Sequence, residues 1–180
     1  MAGSTQTAGR RKVPVQLTVN GRVQEALVEP RKLLCDFVRQ DLGLTGVHVG
    51  CEHGACGACT ILVNGEAIKS CLMLAVQADG AELLTVEGLA QNGQLHPLQQ
   101  AFHQHHALQC GFCTPAMLLT ALTLLRDNPN PSEDQIKLGM DGNLCRCTGY
   151  YNIVEAIEAA AAGQFGPVDP PATGATGQAS

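Results

Sequence analysis

The residues of this chain best suited to chemistry are its cysteines, of which the sequence has nine. Eight of them fall into two groups of four, and the ninth, Cys35, stands alone. In a reducing compartment, clustered cysteines bind metals or carry out redox chemistry more often than they form disulfides. The first group consists of Cys51, Cys56, Cys59 and Cys71, and the second group consists of Cys110, Cys113, Cys145 and Cys147.

The first group has the C-x4-C-x2-C spacing of plant-type [2Fe–2S] ferredoxins, completed by a later fourth cysteine. Gly50, Gly54 and Gly57 suit a loop that wraps tightly around an anionic cluster and directs backbone N–H groups at its sulfur atoms. A structural zinc site is the alternative, but zinc sites usually pair two short knuckles. His53 is not expected to be a ligand, because a Rieske centre needs two histidines in place of two cysteines.

The second group combines a C-x2-C pair with a C-x-C pair. The first pair precedes a helix predicted to run from Pro115, and the second precedes one predicted from Asn152. Two helix N-termini would then face one site and stabilise an anionic cluster through their dipoles and free N–H groups. Zinc is again the alternative, whereas the C-x2-C-x2-C run of bacterial [4Fe–4S] proteins is absent. Beside a ferredoxin-like loop, the pattern favours a second [2Fe–2S] centre.

The elements that must position the first group form a small mixed sheet with one helix. Apolar and polar residues alternate on both sides of Asn20-Gly21, which predicts a β-hairpin, and the pattern recurs around Asn64-Gly65. Apolar residues at helical spacing predict one short helix that crosses the first hairpin. The predicted strands lie at 13–19, 23–28, 60–63, 66–70 and 83–86, and the predicted helix at 31–42.

Four helices are predicted from Glu87 onward, and they place the second group in a helical bundle. A proline lies early in each of the first two, and Ser132 and Asn152 are the expected N-caps of the last two. The predicted helices cover 95–108, 115–125, 132–140 and 152–162. The chain therefore divides into a disordered or partner-bound extension (1–12), a ferredoxin-like [2Fe–2S] domain (13–86), a helical [2Fe–2S]-binding domain (87–162) and a flexible tail (163–180).

Composition limits the partners and the compartment. The formal net charge is −5 and aromatic residues make up 3% of the chain, which argues against a nucleic-acid-binding surface. No apolar run approaches the roughly 18 residues of a membrane span, and the polar N-terminal segment lacks the apolar core of a signal peptide. We therefore expect a cytoplasmic protein without a membrane span.

Three motifs together resemble the signatures of the iron–sulfur subunit of the molybdenum hydroxylases. They are CEHGACGAC with Cys71, QCGFCTP, and NLCRCTGY. This superfamily includes xanthine dehydrogenase, aldehyde oxidase and aerobic carbon monoxide dehydrogenase. The resemblance covers residues 13–160 and implies an α+β fold: an N-terminal β-grasp plant-type ferredoxin domain followed by a four-helix-bundle [2Fe–2S]-binding domain.

The resemblance also implies a role and a set of partners. It implies electron transfer from a molybdopterin centre, in the cytosine dinucleotide form, through two [2Fe–2S] clusters to FAD. A molybdopterin-binding large subunit and an FAD-binding medium subunit would complete a heterotrimer or a dimer of heterotrimers. The first group would bind the cluster nearer the flavin and the second group the cluster nearer molybdenum, with Gln109 and Cys147 hydrogen-bonded to the pterin. No catalytic acid, base or nucleophile is expected in this chain.

Two other functions stay open at this point: an independent two-cluster ferredoxin-like electron carrier for another oxidoreductase, and a structural protein stabilised by bound zinc. The sequence does not distinguish an N-heteroaromatic, aldehyde, purine or carbon monoxide substrate. Cys35 is expected to be a buried, inert thiol, and Arg146 either tunes a cluster or pairs with a carboxylate. A polar or interface helix surface, and no metal site, is expected for His96, His103, His105 and His106.

Overall fold

The computed structural model describes residues 11–171, and its first half is built on two β-hairpins. Asn20 and Gly21 have φ values of +50° and +76°, and Asn64 and Gly65 have +51° and +84°. Both central positions of each turn are thus left-handed, as a type I′ turn requires, and both predicted hairpins are confirmed. The strands are β1 (Val13–Val19), β2 (Arg22–Val28), β3 (Thr60–Val63), β4 (Glu66–Lys69) and β5 (Glu82–Leu84).

These strands form one mixed sheet in the order β2-β1-β5-β3-β4. Strand β5 is parallel to β1 and antiparallel to β3, so it joins the two hairpins at the centre of the sheet. Helix α1 (Leu34–Asp36) continues directly into a π-helical turn (Phe37–Asp41), and both pack into the apolar core on one face of the sheet. The arrangement is the β-grasp fold predicted for the first half.

The first helix begins later than predicted. The N–H group of Leu34 donates to the carbonyl oxygen of Met73 at 2.8 Å, and that of Ala75 donates to Lys32 at 2.8 Å. Arg31 therefore lies in a turn, Lys32 and Leu33 pair with the segment that follows Cys71, and the prediction of helix over 31–33 was wrong. The spacing of apolar residues carries no information about a distant segment that hydrogen-bonds to this backbone.

The second half contains the four predicted helices: the first and third are shorter than predicted, the second extends further at both ends, and the fourth is shifted by one residue. Ser132 caps its helix as predicted, since its hydroxyl accepts the N–H of Gln135 at 3.3 Å. The prediction of Asn152 as an N-cap was wrong, because Tyr150 precedes that helix with a φ of +69°. The Asn152 side chain instead donates to the carbonyl oxygen of His105 at 2.9 Å. The helices are α2 (Pro97–Gln104), α3 (Thr114–Asp127), α4 (Glu133–Met140) and α5 (Tyr151–Ala161).

Two apolar cores lie on either side of the sheet. One contains the inward side chains of β1 with α1 and the π-helical turn. The other is formed by α2 to α5 and takes in Leu62 of β3 and Leu84 of β5 from the opposite sheet face. Burial on both faces explains why all four residues of β3 are buried. The sheet is thus the layer that the two cysteine-bearing halves share.

The segment 163–171 contacts the helical core through Phe165 and Val168. His96 is buried, and its Nε2 lies 2.9 Å from the carbonyl oxygen of Asp169 while its Nδ1 accepts the N–H of Leu98 at the start of α2. The expectation of a surface position for this histidine was therefore wrong, because it caps a helix.

Residues 1–10 and 172–180, where most of the extension and half of the tail were predicted, lie outside the described residues. Within the described part, no helix is both long and apolar enough to cross a bilayer.

Candidate metal centres

The loop of the first group is shaped by backbone groups that point at sulfur. The N–H of Cys56 lies 3.4 Å from Cys51 Sγ, and this backbone hydrogen bond is the main cause that lowers the pKa of Cys51 to about 6. Gly54 and Gly57 have φ values of +79° and +72°, which let the chain reverse within the loop. An anionic sulfur at Cys51 is therefore stabilised by the loop itself.

The other two thiols of the first group lie deeper. Cys59 and Cys71 are both buried. Burial, followed by the interaction with the Cys59 side chain, raises the pKa of Cys71 to about 11. Ser70 holds the two segments together, because its hydroxyl donates to the carbonyl oxygen of Cys59 at 2.7 Å. The first group thus has two shallow and two deep thiols.

The second group is assembled from two segments that are distant in sequence. Cys147 Sγ lies 3.4 Å from Cys110 Sγ, and Cys145 lies near enough to Cys113 to influence its pKa. Cys113 is the residue immediately before α3. Burial raises the pKa of Cys113 to about 12, with a further contribution from Cys145. The structure therefore brings the four predicted thiols near one another, with Cys110 exposed, Cys113 and Cys147 half-buried and Cys145 buried.

Cys145 is surrounded by hydrogen bonds from the residues that follow it. Its Sγ lies 3.1 Å from Thr148 Oγ1 and 3.5 Å from the Thr148 N–H. Its own N–H donates to the Tyr150 hydroxyl at 2.8 Å. Burial acts to raise the pKa of Cys145, but the Thr148 groups outweigh it together with smaller hydrogen bonds, and the net shift is downward. The turn of residues 145–150 therefore favours a thiolate at this buried position.

The loops of the two groups touch each other through Asn143. Its side-chain amide donates to the carbonyl oxygen of Gly57 at 3.1 Å and accepts from the Thr120 hydroxyl at 3.0 Å. The adjacent Leu144 N–H donates to the carbonyl oxygen of Cys56 at 2.9 Å. A Cβ atom at Gly57 would overlap the carbonyl oxygen of Gly142, so the close approach requires glycine there.

Sequence reasoning missed this junction. In the sequence, Asn143 is part of the NLCRCTGY motif, and nothing local indicates that its amide is buried and bonds to Gly57. A second contact was missed as well, in which the His48 ring stacks on Phe112 with centroids 4.7 Å apart and its Nδ1 lies 2.7 Å from the Phe112 carbonyl oxygen. Both contacts connect residues more than sixty positions apart.

The remaining residues singled out in the sequence lie at varied depths. Gln109 and Arg146 are exposed. Cys35 is buried, and this burial is the main cause that raises the pKa of its thiol to about 12. His103 and His106 are exposed, as expected for a polar helix end, and His105 lies edge-on to Phe165 at 6.3 Å.

The donor sets fit the predicted clusters. The four thiols of each group lie near enough to influence one another's pKa values. Hydrogen bonds from backbone N–H groups or from Thr148 lower the pKa of three of the eight thiols, those of Cys51, Cys110 and Cys145. Thiolate is the ligand form for iron–sulfur centres, and N–H donors around sulfur are their usual environment. The assignment of the individual ligands stays a prediction.

Comparison with known families supports the same chemistry. A family described as a 2Fe-2S iron-sulfur cluster binding domain matches residues 17–90, and one described as a [2Fe-2S] binding domain matches residues 85–158. The chain is 53% identical over 146 residues to the nicotine 6-hydroxylase small subunit of Paenarthrobacter nicotinovorans, covering 81% of this chain and 88% of that one. It belongs to the small iron–sulfur subunits of the molybdenum hydroxylases.

Two further similarities extend this family assignment. A caffeine dehydrogenase subunit gamma from Pseudomonas sp. (strain CBB1) is 57% identical over 147 residues, covering 80% of this chain and 88% of that one. The crystal structure of quinoline 2-oxidoreductase from Pseudomonas putida 86 has a chain that superposes with a TM-score of 0.83 at 51% identity, covering 84% of this chain and 95% of that chain. The predicted α+β fold is confirmed, as is the role of electron-transfer subunit in an oxidoreductase complex.

Proposed function

We propose that this chain carries electrons from a molybdopterin centre on a large partner subunit to FAD on a medium partner subunit. Two [2Fe–2S] clusters, bound by the first and second groups of cysteines, would each accept and release one electron at a time. The observation that carries the proposal is the direct junction between the two cysteine loops. Asn143 and Leu144 hydrogen-bond to the Cys56–Gly57 segment, so the two donor sets lie next to each other.

In this proposal, the residues of this chain bind the two clusters and surround them with apolar side chains. The deep thiols, Cys59 and Cys71 in one group and Cys145 in the other, are anchored in the two apolar cores. A protein sets the reduction potential of such a cluster through low-dielectric surroundings and hydrogen bonds to the sulfur atoms. The boundary at residues 86 and 87 is proposed to divide the two cluster-binding domains, with the shared sheet between them.

The proposed pterin contact lies at the exposed side of the second group. Gln109 and Cys110 are exposed and Cys147 is half-buried, so a partner subunit has access to this edge. We expect Gln109→Ala to alter the pterin environment and to slow electron entry from the partner, with the iron content unchanged. A Gln109→Ala complex with normal reduction kinetics would contradict this contact.

The proposed substrate class is a nitrogen heteroaromatic. Three relatives that share at least half of the aligned residues with this chain are named after nicotine, caffeine and quinoline. The proposed compartment is the cytoplasm, in which unpaired thiols persist for cluster assembly, and the pterin is proposed to be the cytosine dinucleotide form. The assembled complex is proposed to be a heterotrimer or a dimer of heterotrimers.

The test is to purify the tagged chain from its native cells and to identify what accompanies it. We expect a large subunit with molybdenum, a medium subunit with FAD, and oxidation of a nitrogen heteroaromatic by the complex. The small subunit should contain about four irons and show two distinct EPR signals on reduction. Iron without molybdenum or flavin partners would indicate an independent ferredoxin-like carrier, and zinc without EPR signals would refute the cluster assignment.

A further inference from the structure

The hydroxyl of Thr148 lies between two groups whose chemistry determines its orientation. Tyr150 donates its backbone N–H to Thr148 Oγ1 at 3.1 Å. On its other side, Thr148 Oγ1 lies 3.1 Å from Cys145 Sγ. A hydroxyl has a single hydrogen, and the Tyr150 N–H occupies one of its lone pairs. The hydroxyl hydrogen is therefore available for the sulfur.

The state of Cys145 decides the direction of the hydrogen bond. A cysteine that ligates iron is a thiolate and has no hydrogen to donate. Between a thiolate and a hydroxyl, the hydroxyl must be the donor. The Thr148 N–H, 3.5 Å from the same sulfur, is a second donor from the same residue.

We propose that Thr148 is a positioning residue that raises the reduction potential of the second cluster through its hydroxyl hydrogen bond to the Cys145 sulfur. Reduction adds an electron and therefore negative charge, which a donor aimed at a ligand sulfur stabilises. Cys145 is only 8% exposed, so water screens this hydrogen bond weakly. The inference rests on the proposed function, because it requires a [2Fe–2S] cluster at the second group.

The arrangement of the turn keeps this donor in place. Gly149 has a φ of +68° and Tyr150 a φ of +69°, so the chain reverses directly after Thr148. The Tyr150 hydroxyl then accepts the Cys145 N–H at 2.8 Å. Residues 145, 148 and 150 thus form a closed ring of hydrogen bonds, in which only Thr148 touches the sulfur.

The experiment compares Thr148→Val with Thr148→Ser in the full assembled complex. Valine has nearly the shape of threonine but lacks the hydroxyl, whereas serine keeps it. EPR-monitored redox titration gives the midpoint potential of each cluster separately. We expect Thr148→Val to shift the second cluster to a more negative potential, to leave the first cluster unchanged, and to lower the reduced fraction of the second cluster at a given poise. Thr148→Ser should restore the wild-type value.

Tyr150→Phe is the matched control, since it disturbs the same turn through the Cys145 N–H without touching the sulfur. We expect it to shift the potential of the second cluster less than Thr148→Val does. An unchanged potential in Thr148→Val, failure of serine to restore it, or an equal shift in Tyr150→Phe would each overturn the inference while both clusters are present. A wild-type complex that lacks a second EPR signal would instead overturn the proposed function, and this inference with it.

Discussion

The two cysteine groups reach a similar donor set by different routes. In the first group, three thiols lie in one loop of nine residues, where backbone N–H groups meet the sulfur directly. In the second group, two pairs separated by more than thirty residues meet because α3 and α5 pack in the same core. The first site is therefore specified mainly by local chain geometry, and the second by tertiary packing.

The difference shows which contacts each site depends on. The first loop carries its own left-handed glycines and its own N–H donors. The second site depends on Thr148 and Tyr150 for the ligand turn and on Asn143 for its position against the first loop. Disturbing the junction should consequently affect the second site more than the first.

Removal of one deep ligand from each group is expected to have the largest effect. Cys145→Ala should abolish the EPR signal of the second cluster and leave about two irons per chain, because a [2Fe–2S] centre needs four protein ligands. Cys71→Ala should abolish the other signal. Cys35→Ala is the control and should retain both. Loss of both signals in Cys145→Ala would show that the two sites do not assemble independently.

The second-largest effect is expected in the iron-free chain, where the thiols of Cys51 and Cys113 should differ in their rates of alkylation. Alkylation requires a thiolate, so the rate at each cysteine follows the fraction of that cysteine that is deprotonated at the working pH. As pH rises through about 6, Cys51 becomes thiolate, whereas Cys113, with a pKa raised to about 12, stays protonated at neutral pH. Mass spectrometry after brief alkylation at neutral pH should find Cys51 modified before Cys113. Equal labelling of both would refute the contrast between a shallow and a deep thiol.

The junction can be broken from the first loop with Gly57→Ala. A Cβ atom there would overlap Gly142 and sit at a left-handed φ, so the free energy of unfolding should fall by about 3 kcal/mol. Gly43→Ala is the matched control, because Gly43 has the same φ of +72° with no heavy atom within 4 Å of the added Cβ. Its cost should be about 1–2 kcal/mol. Urea denaturation of the iron-free chain measures both, and equal losses would contradict a tight junction.

A smaller effect is expected when the junction is broken from the second loop. Asn143→Ala should lower the free energy of unfolding by about 2 kcal/mol, since it leaves the buried Gly57 carbonyl and Thr120 hydroxyl with one partner fewer. It should also weaken the magnetic interaction between the two reduced clusters, seen as a change in EPR line shape. Asn152→Ala removes another bonded amide, which contacts His105 and His106 instead of this junction, and should leave the line shape unaltered. A change in both variants would assign the effect to general loosening.

Much of the fold follows from local signals. The Asn-Gly turns, the early prolines of α2 and α3, and the Ser132 cap are found where the sequence predicts them, because each acts within a few residues. Three expectations were wrong for one common reason. Residues 32–34, His96 and Asn152 each bond to a partner that is distant in sequence: Met73–Ala75, Asp169 and His105, and His96 also caps α2 locally through Leu98.

The sequence alone determined that two sets of four cysteines exist, which spacing each has, and which turns and helix starts flank them. Cysteine spacing and turn residues are local properties that the order of amino acids carries directly. Only the tertiary structure decided that the loops of the two sets touch. The contact between Asn143 and Gly57 spans 86 residues and forms only once the helices pack on the sheet face that carries Leu62 and Leu84. Burial of that apolar surface drives the packing, and a short stretch of sequence does not show which distant segment it will pack against.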